Sequence, residues 1–178
     1  MAICTLSKDL LRTNTCSYAL SEVKDIYIAN YTDVTTAQTQ YDCESGVVIT
    51  AITLATGATF HHIEPAKNSV SYTDELVVED STGAKYRTHT ITFSIAGKYD
   101  KDMVCSFDAL SLGRFFVVVK TADGTYLALG RTAGLEASAA TNQGGGDTNG
   151  ITVTLSANVA ESAMPLNDAA IAVVVGNN

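Results

Sequence analysis

The sequence predicts a mainly β protein with a minor helical component, because its residue types, the alternation of its apolar positions and its turn signals agree. Thr, Val, Ile and Tyr recur along the chain, and these residues suit a pleated, half-buried surface. The composition, 46% hydrophobic and 17% charged, lies far from that of a disordered chain. At 178 residues the length is that of one domain. Residues 1–21 are polar and mixed, so we expect them to form an N-terminal arm, and we expect residues 22–178 to form a single β domain.

Five strands are predicted in the first part of the chain, and they span residues 22–30, 46–54, 59–63, 70–79 and 86–96. The run at 46–54 is almost continuously apolar, which predicts burial on both faces, whereas residues 32–44 are interpreted as a polar connection. The last two strands predict a long hairpin around a loop at residues 80–85. In its second arm hydroxyl side chains alternate with largely apolar ones: Thr88, Thr90, Thr92 and Ser94 against His89, Ile91, Phe93 and Ile95.

One helix and one tight hairpin are the clearest elements of the second part. The helix is predicted over Lys101–Leu112, with Asp100 as N-cap and Gly113 as stop signal. A hairpin is predicted from residues 115–120 and 125–129, whose Asp-Gly turn supplies a positive φ. Further strands are predicted at residues 135–139, 151–159 and 169–175. Two groups of strands with one helix between them favour a β-sandwich or incomplete barrel flanked by that helix.

The charge and cysteine content narrow the function classes. A net charge of −8 argues against a surface that grips nucleic acid, since phosphate binding depends on clustered Lys and Arg. An acidic surface repels DNA, and a conduit for DNA can use that property. No run approaches the roughly 20 apolar residues of a membrane span, so we expect no membrane anchor. Cys4, Cys16, Cys43 and Cys105 show no CxxC spacing, so reduced thiols are expected, with a Cys4–Cys16 bridge as the open alternative.

Residues able to carry chemistry are few. Of the cluster at residues 61–64 only His62 and Glu64 share a face of a strand, so surface histidines are favoured over a metal site. Residues 144–150 are glycine-rich but lack the Lys-Ser/Thr ending of a phosphate loop. A triad built on His89 stays open as a minor alternative, and Cys105 is expected to be a core thiol. We therefore predict no catalytic residue, no cofactor, no metal and no enzymatic activity.

Two features indicate sheet edges that need cover. Asp74-Glu75 and Glu79-Asp80 bracket residues 76–78, either to solvate a hairpin or to keep an edge strand from wrong partners. Three runs are β-prone, uncharged and free of proline: residues 47–54, 115–119 and 171–175. These runs are expected either to pair with the sheet of a neighbouring subunit or to be buried in the core of the chain itself.

The order of the predicted strands, helix and turns along the chain is similar to that of a known family of proteins. A β-rich front half with a long hairpin precedes the helix, and then come the hairpin over residues 115–130, Gly134-Leu135-Glu136, the glycine-rich loop, residues 147–155 and Pro165. This order resembles bacteriophage tail-tube and tail-ring structural proteins, in particular those of phages of gut Bacteroidetes, including crAss-like phages. The resemblance covers most of the chain and consists of turn and strand signals. It implies a sandwich or incomplete barrel whose inner strands join neighbouring subunits into a ring around a DNA channel.

Assembly instead of catalysis is what the resemblance implies. The expected partners are further copies of the chain in a sixfold or twelvefold ring, and the neighbouring tail, ring or portal proteins. Genomic DNA would pass without specific binding, and the protein would reside in the tail or head-to-tail region of the virion after synthesis in the cytoplasm of the bacterial host. The hairpin at 70–96 and the loop at 142–150 would supply inter-subunit or inter-ring contacts, through Val70, Tyr72, Leu76, Val78, Tyr86, Ile91, Phe93, Asn142 and Asp147.

A second hypothesis is a different virion component or a surface β-sandwich binding module, such as a capsid decoration protein or an adhesin. Such a module is expected to be a stable monomer or trimer with an exposed aromatic or polar recognition patch. The two hypotheses therefore differ in the oligomer that they predict.

Overall fold

The computed structural model describes residues 22–42, 46–97, 100–145 and 150–176. Its strands are β1 (Val23–Asn30), β2 (Val34–Asp42), β3 (Gly46–Leu54), β4 (His61–Ile63), β5 (Ser71–Val78), β6 (Lys85–Ala96), β7 (Arg114–Thr121), β8 (Tyr126–Leu129), β9 (Leu135–Gln143), β10 (Gly150–Val159) and β11 (Met164–Pro165). The helices are α1 (Lys101–Leu112) and α2 (Asp168–Val175), with a 3-10 turn at Tyr31–Asp33. The predictions for residues 1–21, including Cys4 and Cys16, and for Cys43 lie outside the described residues.

Nine of the strands form one antiparallel sheet with an abrupt change of partners at β9. The strand order is β11-β8-β7-β9-β10-β6-β5, with β1 paired to β7 and β4 paired to β1. Strands β7 and β9 share only two residue pairs, Arg114 with Glu136 and Phe115 with Leu135, so the sheet can fold over at this point. The sheet is open, and the part of the chain that the structure describes contains no closed barrel. The predicted sandwich-like, mainly β fold with a flanking helix is confirmed.

The first hydrophobic core lies between the two halves of this sheet. It consists of buried residues of β1 and β7, of β6 and β10, and of α1: Ile26, Ile28, Phe115, Val117, Val119, Ile91, Phe93, Val153, Leu155 and Leu110. The strand residues alternate along their strands, because successive side chains point to opposite faces of a sheet. The alternation predicted for the second arm of the long hairpin therefore places its apolar face in this core.

A second core lies on the opposite face of β1 and β7. There Tyr27 and Ala29 of β1 and Phe116 and Val118 of β7 pack with residues of β3 and α2, namely Ile49, Ile52, Ala170 and Val174. Strand β7 is thus buried on both faces, which explains its uninterrupted apolar run. The chain's own core provides the cover that this run requires.

Two local predictions are confirmed in detail. Asp100 caps α1, because its side chain accepts hydrogen bonds from the backbone N–H groups of Asp102 (3.2 Å) and Met103 (3.1 Å). The hairpin between β7 and β8 turns at Gly124, whose φ of 89° is in the region that glycine adopts readily. Asp123 Oδ1 accepts the N–H of Thr125 at 3.1 Å and closes the turn.

The prediction of a final strand at residues 169–175 is wrong, because this segment forms helix α2. Asn167 caps it by accepting a hydrogen bond from the N–H of Ala170 at 2.9 Å, and Asp168 lies in the first turn. Ala170 and Val174, four residues apart, both enter the second core. The periodicity of a short apolar run does not distinguish a helix from a strand. In this segment the N-cap and the packing against the second core favour the helix.

Strands β2 and β3 also differ from expectation. Residues 34–42, interpreted as a polar connection, pair with β3 in a separate two-stranded sheet. Two register shifts in this pairing interrupt the period of two that would have marked β2 as a strand. Strand β3 was expected to be buried on both faces, but only Ile49 and Ile52 are buried.

Helix α1 buries only one narrow face. Leu110 is buried, but Val104 and Leu112 are exposed by 37% and 89%. Cys105 is exposed as well, so the expectation of a core thiol is wrong. The helix covers one end of the sandwich with a single face, and these three residues lie outside it.

Replacing Phe93 by Ala is expected to lower the free energy of unfolding by about 3–5 kcal/mol, because it leaves a cavity in the first core. The matched control is Leu112→Ala, at an exposed position on α1, which should change stability by less than about 0.5 kcal/mol. Urea denaturation followed by circular dichroism measures both. Equal effects of the two substitutions would contradict the core described here.

Candidate assembly surface

In the part of the chain that the structure describes, strand β5 has one unpaired edge along its whole length. Its inner edge pairs with β6 from Ser71 with Thr92 to Val78 with Lys85. Among the described residues no strand pairs with its outer edge, since β5 ends the order of the sheet. A free edge presents unpaired N–H and C=O groups that can accept a further strand.

The end of this hairpin, residues 75–85, is here called the hairpin arm. Every residue of the arm is exposed except Val77, which is half-buried. Leu76 and Val78 are exposed by 54% and 48%, although they share a face with Tyr72, which packs against the first core. The apolar face of β5 therefore continues past the first core, where the described residues leave it uncovered.

The acidic residues around the arm have two different roles. Glu75, Glu79 and Asp80 are exposed, as expected for charges that border an edge strand. Asp74 is half-buried and accepts a hydrogen bond from Arg87 Nε at 2.5 Å. The part of the acidic pattern that contains Asp74 is therefore structural.

The outer face of β5, β6, β10 and β9 carries mainly hydroxyl side chains, in register across the strands: Ser71, Thr73, Thr88, Thr90, Thr92, Ser94, Thr152, Thr154, Ser156 and Thr141. Some of them pair with each other, as Thr92 does with Thr154 (3.0 Å) and Ser94 with Thr152 (2.7 Å). Strands β5, β6 and β10 place no Lys or Arg on this face. Its charged residues include Glu75 of β5 and Glu136 of β9, and Arg114 at the start of β7 is paired with Glu136, so the face lacks the clustered cations that bind a phosphate backbone.

A cleft of about 460 Å³ lies at the other end of β6. Its walls come from β1, β4, β6, β7 and α1, with an apolar lining that includes Ile28, Ile95 and Phe115. The exposed His61 and His62 also line it. On β6 the cleft is lined by Ile95, whereas the hairpin arm begins at Glu75, opposite Thr88, so about 23 Å of strand separates them at about 3.3 Å per residue.

The residues predicted to make inter-subunit contacts fall into distinct environments. Leu76, Val78 and Asn142 are exposed, whereas Val70, Tyr72 and Tyr86 are half-buried. Ile91 and Phe93 are fully buried in the first core, so their side chains cannot contact another subunit and this part of the prediction is wrong. The sequence does not reveal which face of a strand is covered, so it does not separate these buried residues from exposed ones. Asp147 lies outside the described residues.

A buried polar network beneath the hairpin was not found from the sequence. Asp74 accepts hydrogen bonds from Arg87 and, through Oδ2, from the N–H of Ala163 at 2.9 Å. Arg131 binds Glu161 through Nε (2.7 Å) and a second guanidinium nitrogen, and donates to the carbonyl of Ala37 at 3.1 Å. The network thus connects β5, β6, the turn after β8, the segment after β10, and β2. Its members are far apart in the sequence, so no local pattern could have grouped them.

The protonation states in this network follow from burial and hydrogen bonding. Burial alone would raise the pKa of Asp74, but the hydrogen bonds from Arg87 and Ala163 outweigh it and lower this pKa below its usual value. Burial lowers the pKa of His89, against the attraction of Asp74 and Glu161 for its charged form. Asp74 is therefore ionised and His89 neutral at pH 7.

The histidines considered for chemistry have structural contacts. His89 is 1% exposed, and its Nδ1 accepts the N–H of Gly130 at 3.2 Å, so it is closed to a substrate from solvent. His62 Nε2 lies 3.0 Å from Asp25 Oδ1, and its ring stacks on Tyr27. Within residues 22–42, 46–97, 100–145 and 150–176, no group of three or more His, Cys, Asp or Glu side chains is arranged to hold a metal ion.

Comparison of the chain with protein-family models, with curated proteins and with solved structures finds no match. None of the described helices is both long enough and apolar enough to cross a membrane. The fold defines a mainly β, sandwich-like protein with open sheets and a flanking helix.

The link between Arg131 and Glu161 is expected to stabilise the fold more than a surface ion pair does. A double-mutant cycle of Arg131→Met and Glu161→Gln should give a coupling energy of about 1–3 kcal/mol, because the side chains are only 24% and 10% exposed. The control cycle uses Arg114→Met and Glu136→Gln, whose side chains are 55% and 57% exposed, with an expected coupling of about 0.2–1 kcal/mol. Urea denaturation measures both cycles, and a coupling no larger than the control would count against a structural role of the network.

Proposed function

We propose that this chain is a virion structural protein, a ring-forming subunit of a phage tail tube or head-to-tail connector that surrounds the DNA exit channel. The observation that carries the proposal is the free edge of β5, eight residues long, beside the exposed Leu76 and Val78. Soluble proteins generally shorten, bend or cover such edges, since they pair readily with other chains. An edge left open and bordered by apolar side chains is suited to a partner strand.

The positions of two unlike surfaces also support a ring. The hairpin arm and the cleft lie at opposite ends of β6. A contact between two different patches is heterologous, and repeating it generates a ring when the rotation between subunits closes. A sixfold or twelvefold ring is the arrangement that the resemblance implies. The free edge alone is equally compatible with a twofold dimer, so the oligomer formed in solution distinguishes the two arrangements.

The hydroxyl-lined face has the chemistry that a DNA channel requires. Uncharged hydroxyl groups offer no counterion release to a phosphate backbone, and the net charge of −8 opposes adhesion. In the proposed ring this face is turned toward the channel, and genomic DNA passes without specific binding. Neighbouring tail, ring or portal proteins would contact the ring above and below. The protein would then be synthesised in the cytoplasm of the bacterial host and reside in the tail or head-to-tail region of the virion, without a membrane anchor.

Replacing Leu76 by Lys is expected to abolish or strongly weaken assembly while the fold persists, because it places a charge on the apolar side of the free edge. The matched control is Val175→Lys, at an apolar residue of α2 that is 37% exposed and lies away from the arm. Sedimentation velocity and negative-stain microscopy of the full chain measure assembly, and circular dichroism checks the fold.

The proposal requires closed rings from the unmodified chain and from Val175→Lys. A stable monomer or trimer at all concentrations, and in lysates of cells producing the other virion proteins, would overturn it. That outcome would favour the decoration protein or adhesin. Rings that form equally well with Leu76→Lys would show that assembly uses another surface.

A further inference from the structure

His89 occupies a closed position at the centre of the polar network. It lies on β6 directly opposite Asp74 of β5, and its ring is 1% exposed. Nδ1 accepts the N–H of Gly130 at 3.2 Å, so this nitrogen carries no proton. The proton of the neutral ring is therefore on Nε2, which lies 3.4 Å from Asp74 Oδ1 and is close to the backbone of Glu161.

Charged groups of three elements act on this ring. Asp74 of β5 and Glu161, after β10, attract a positive charge, whereas Arg87 of β6 repels it. Arg131, next to Gly130, is already bound to Glu161. Burial is the largest influence and disfavours the charged ring, so the pKa of His89 is lowered.

Protonation would change the hydrogen-bonding character of the atom that holds Gly130. An imidazolium ion is a donor at both nitrogens and an acceptor at neither. Its Nδ1–H would then face the N–H of Gly130, donor against donor. The hydrogen bond between β6 and this turn cannot persist in that state, although Nε2 would keep its attraction to Asp74.

We infer that His89 is an acid-sensitive latch: protonation of its ring breaks the hydrogen bond from Gly130, frees the Gly130–Gly134 turn from β6 and loosens the β2–β3 hairpin. The connection to the hairpin runs through Arg131, which donates to the carbonyl of Ala37 on β2. The turn itself is compact, with Gly130 at a φ of 74° and its carbonyl accepting the N–H of Gly134 at 2.7 Å. The latch is a property of the single chain and does not depend on the proposed ring.

The direction of the pH dependence follows from the lowered pKa. In the open state His89 titrates near its ordinary value of 6.5, whereas in the closed state it stays neutral to lower pH. The closed latch is thus fully stabilised above pH 6.5 and loses stability as the pH falls below that value. Asp74 stays ionised in the upper part of this window, because its own pKa is lowered from 3.8.

Hydrogen exchange of the unmodified protein, followed by NMR, tests the latch at the Gly130 amide. After correction for intrinsic exchange rates, its protection is expected to fall from pH 7.5 to pH 5.0 by up to about thirtyfold, the factor that applies when only the open state, titrating near pH 6.5, takes up the proton. Amides of β2 near Ala37 should lose protection in parallel. Ring nitrogen shifts should show the Nε2–H tautomer at pH 7.5.

The matched variants are His89→Asn and His61→Asn. The side-chain oxygen of an asparagine at position 89 can accept a hydrogen bond from the N–H of Gly130, and this side chain does not titrate. His89→Asn should therefore remove the pH dependence of protection at the Gly130 amide. His61 is exposed on β4, and its replacement should leave the dependence unchanged. Unchanged protection of Gly130 in the unmodified protein between pH 7.5 and 5.0 would overturn the inference, whether or not the variants fold. An undiminished fall in folded His89→Asn would overturn it equally.

Discussion

The antiparallel pairing of β1 with β7 is the constraint on which the rest of the structure depends. Its register sets Ile26 against Val119 and Ile28 against Val117 on the side of the first core. Tyr27 against Val118 and Ala29 against Phe116 face the second core. A shift of one residue would exchange the two faces, so both cores fix the same register. The β1–β7 pair belongs to the middle of three layers. The layer of β6 and β10 packs on one face of the pair through the first core, and the third layer, β2, β3 and α2, packs on the other face through the second core.

The polar network completes the attachment of the third layer. The β2–β3 hairpin and α2 contact the β1–β7 pair through apolar side chains of the second core, but β2 has few such residues. Arg131 supplies a hydrogen bond to β2 and an ion pair to Glu161, while His89 holds the same turn to β6. Because these groups are removed from water, each depends on the protonation and position of its partners. The attachment of the third layer is therefore sensitive to a change of charge in this network.

Burial within the chain is complete in the cores and incomplete at β5. The strongest β-prone run, in β7, is covered on both faces, and the run at 171–175 becomes part of a helix. Among the described residues, the hairpin arm with its free edge and a sheet face rich in hydroxyl groups stay uncovered. An open edge and a face without clustered cations have different consequences: the edge favours pairing with another chain, whereas the face offers little to attract a phosphate backbone. The ring that we propose would use both properties at once.

The sequence by itself determined the mainly β class, the helix at Lys101–Leu112, the Asp-Gly turn and the long hairpin, since caps, turn residues and alternation act over a few neighbouring residues. For the candidate assembly surface it indicated the hairpin and its acidic border, but it could not separate the exposed Leu76 from the buried Phe93. Only the tertiary structure decided that residues 169–175 are helical, that β2 is a strand and that Asp74, His89 and Arg131 share a network. These outcomes depend on which surface lies opposite each segment, and contacts between distant residues leave no periodic mark in the chain.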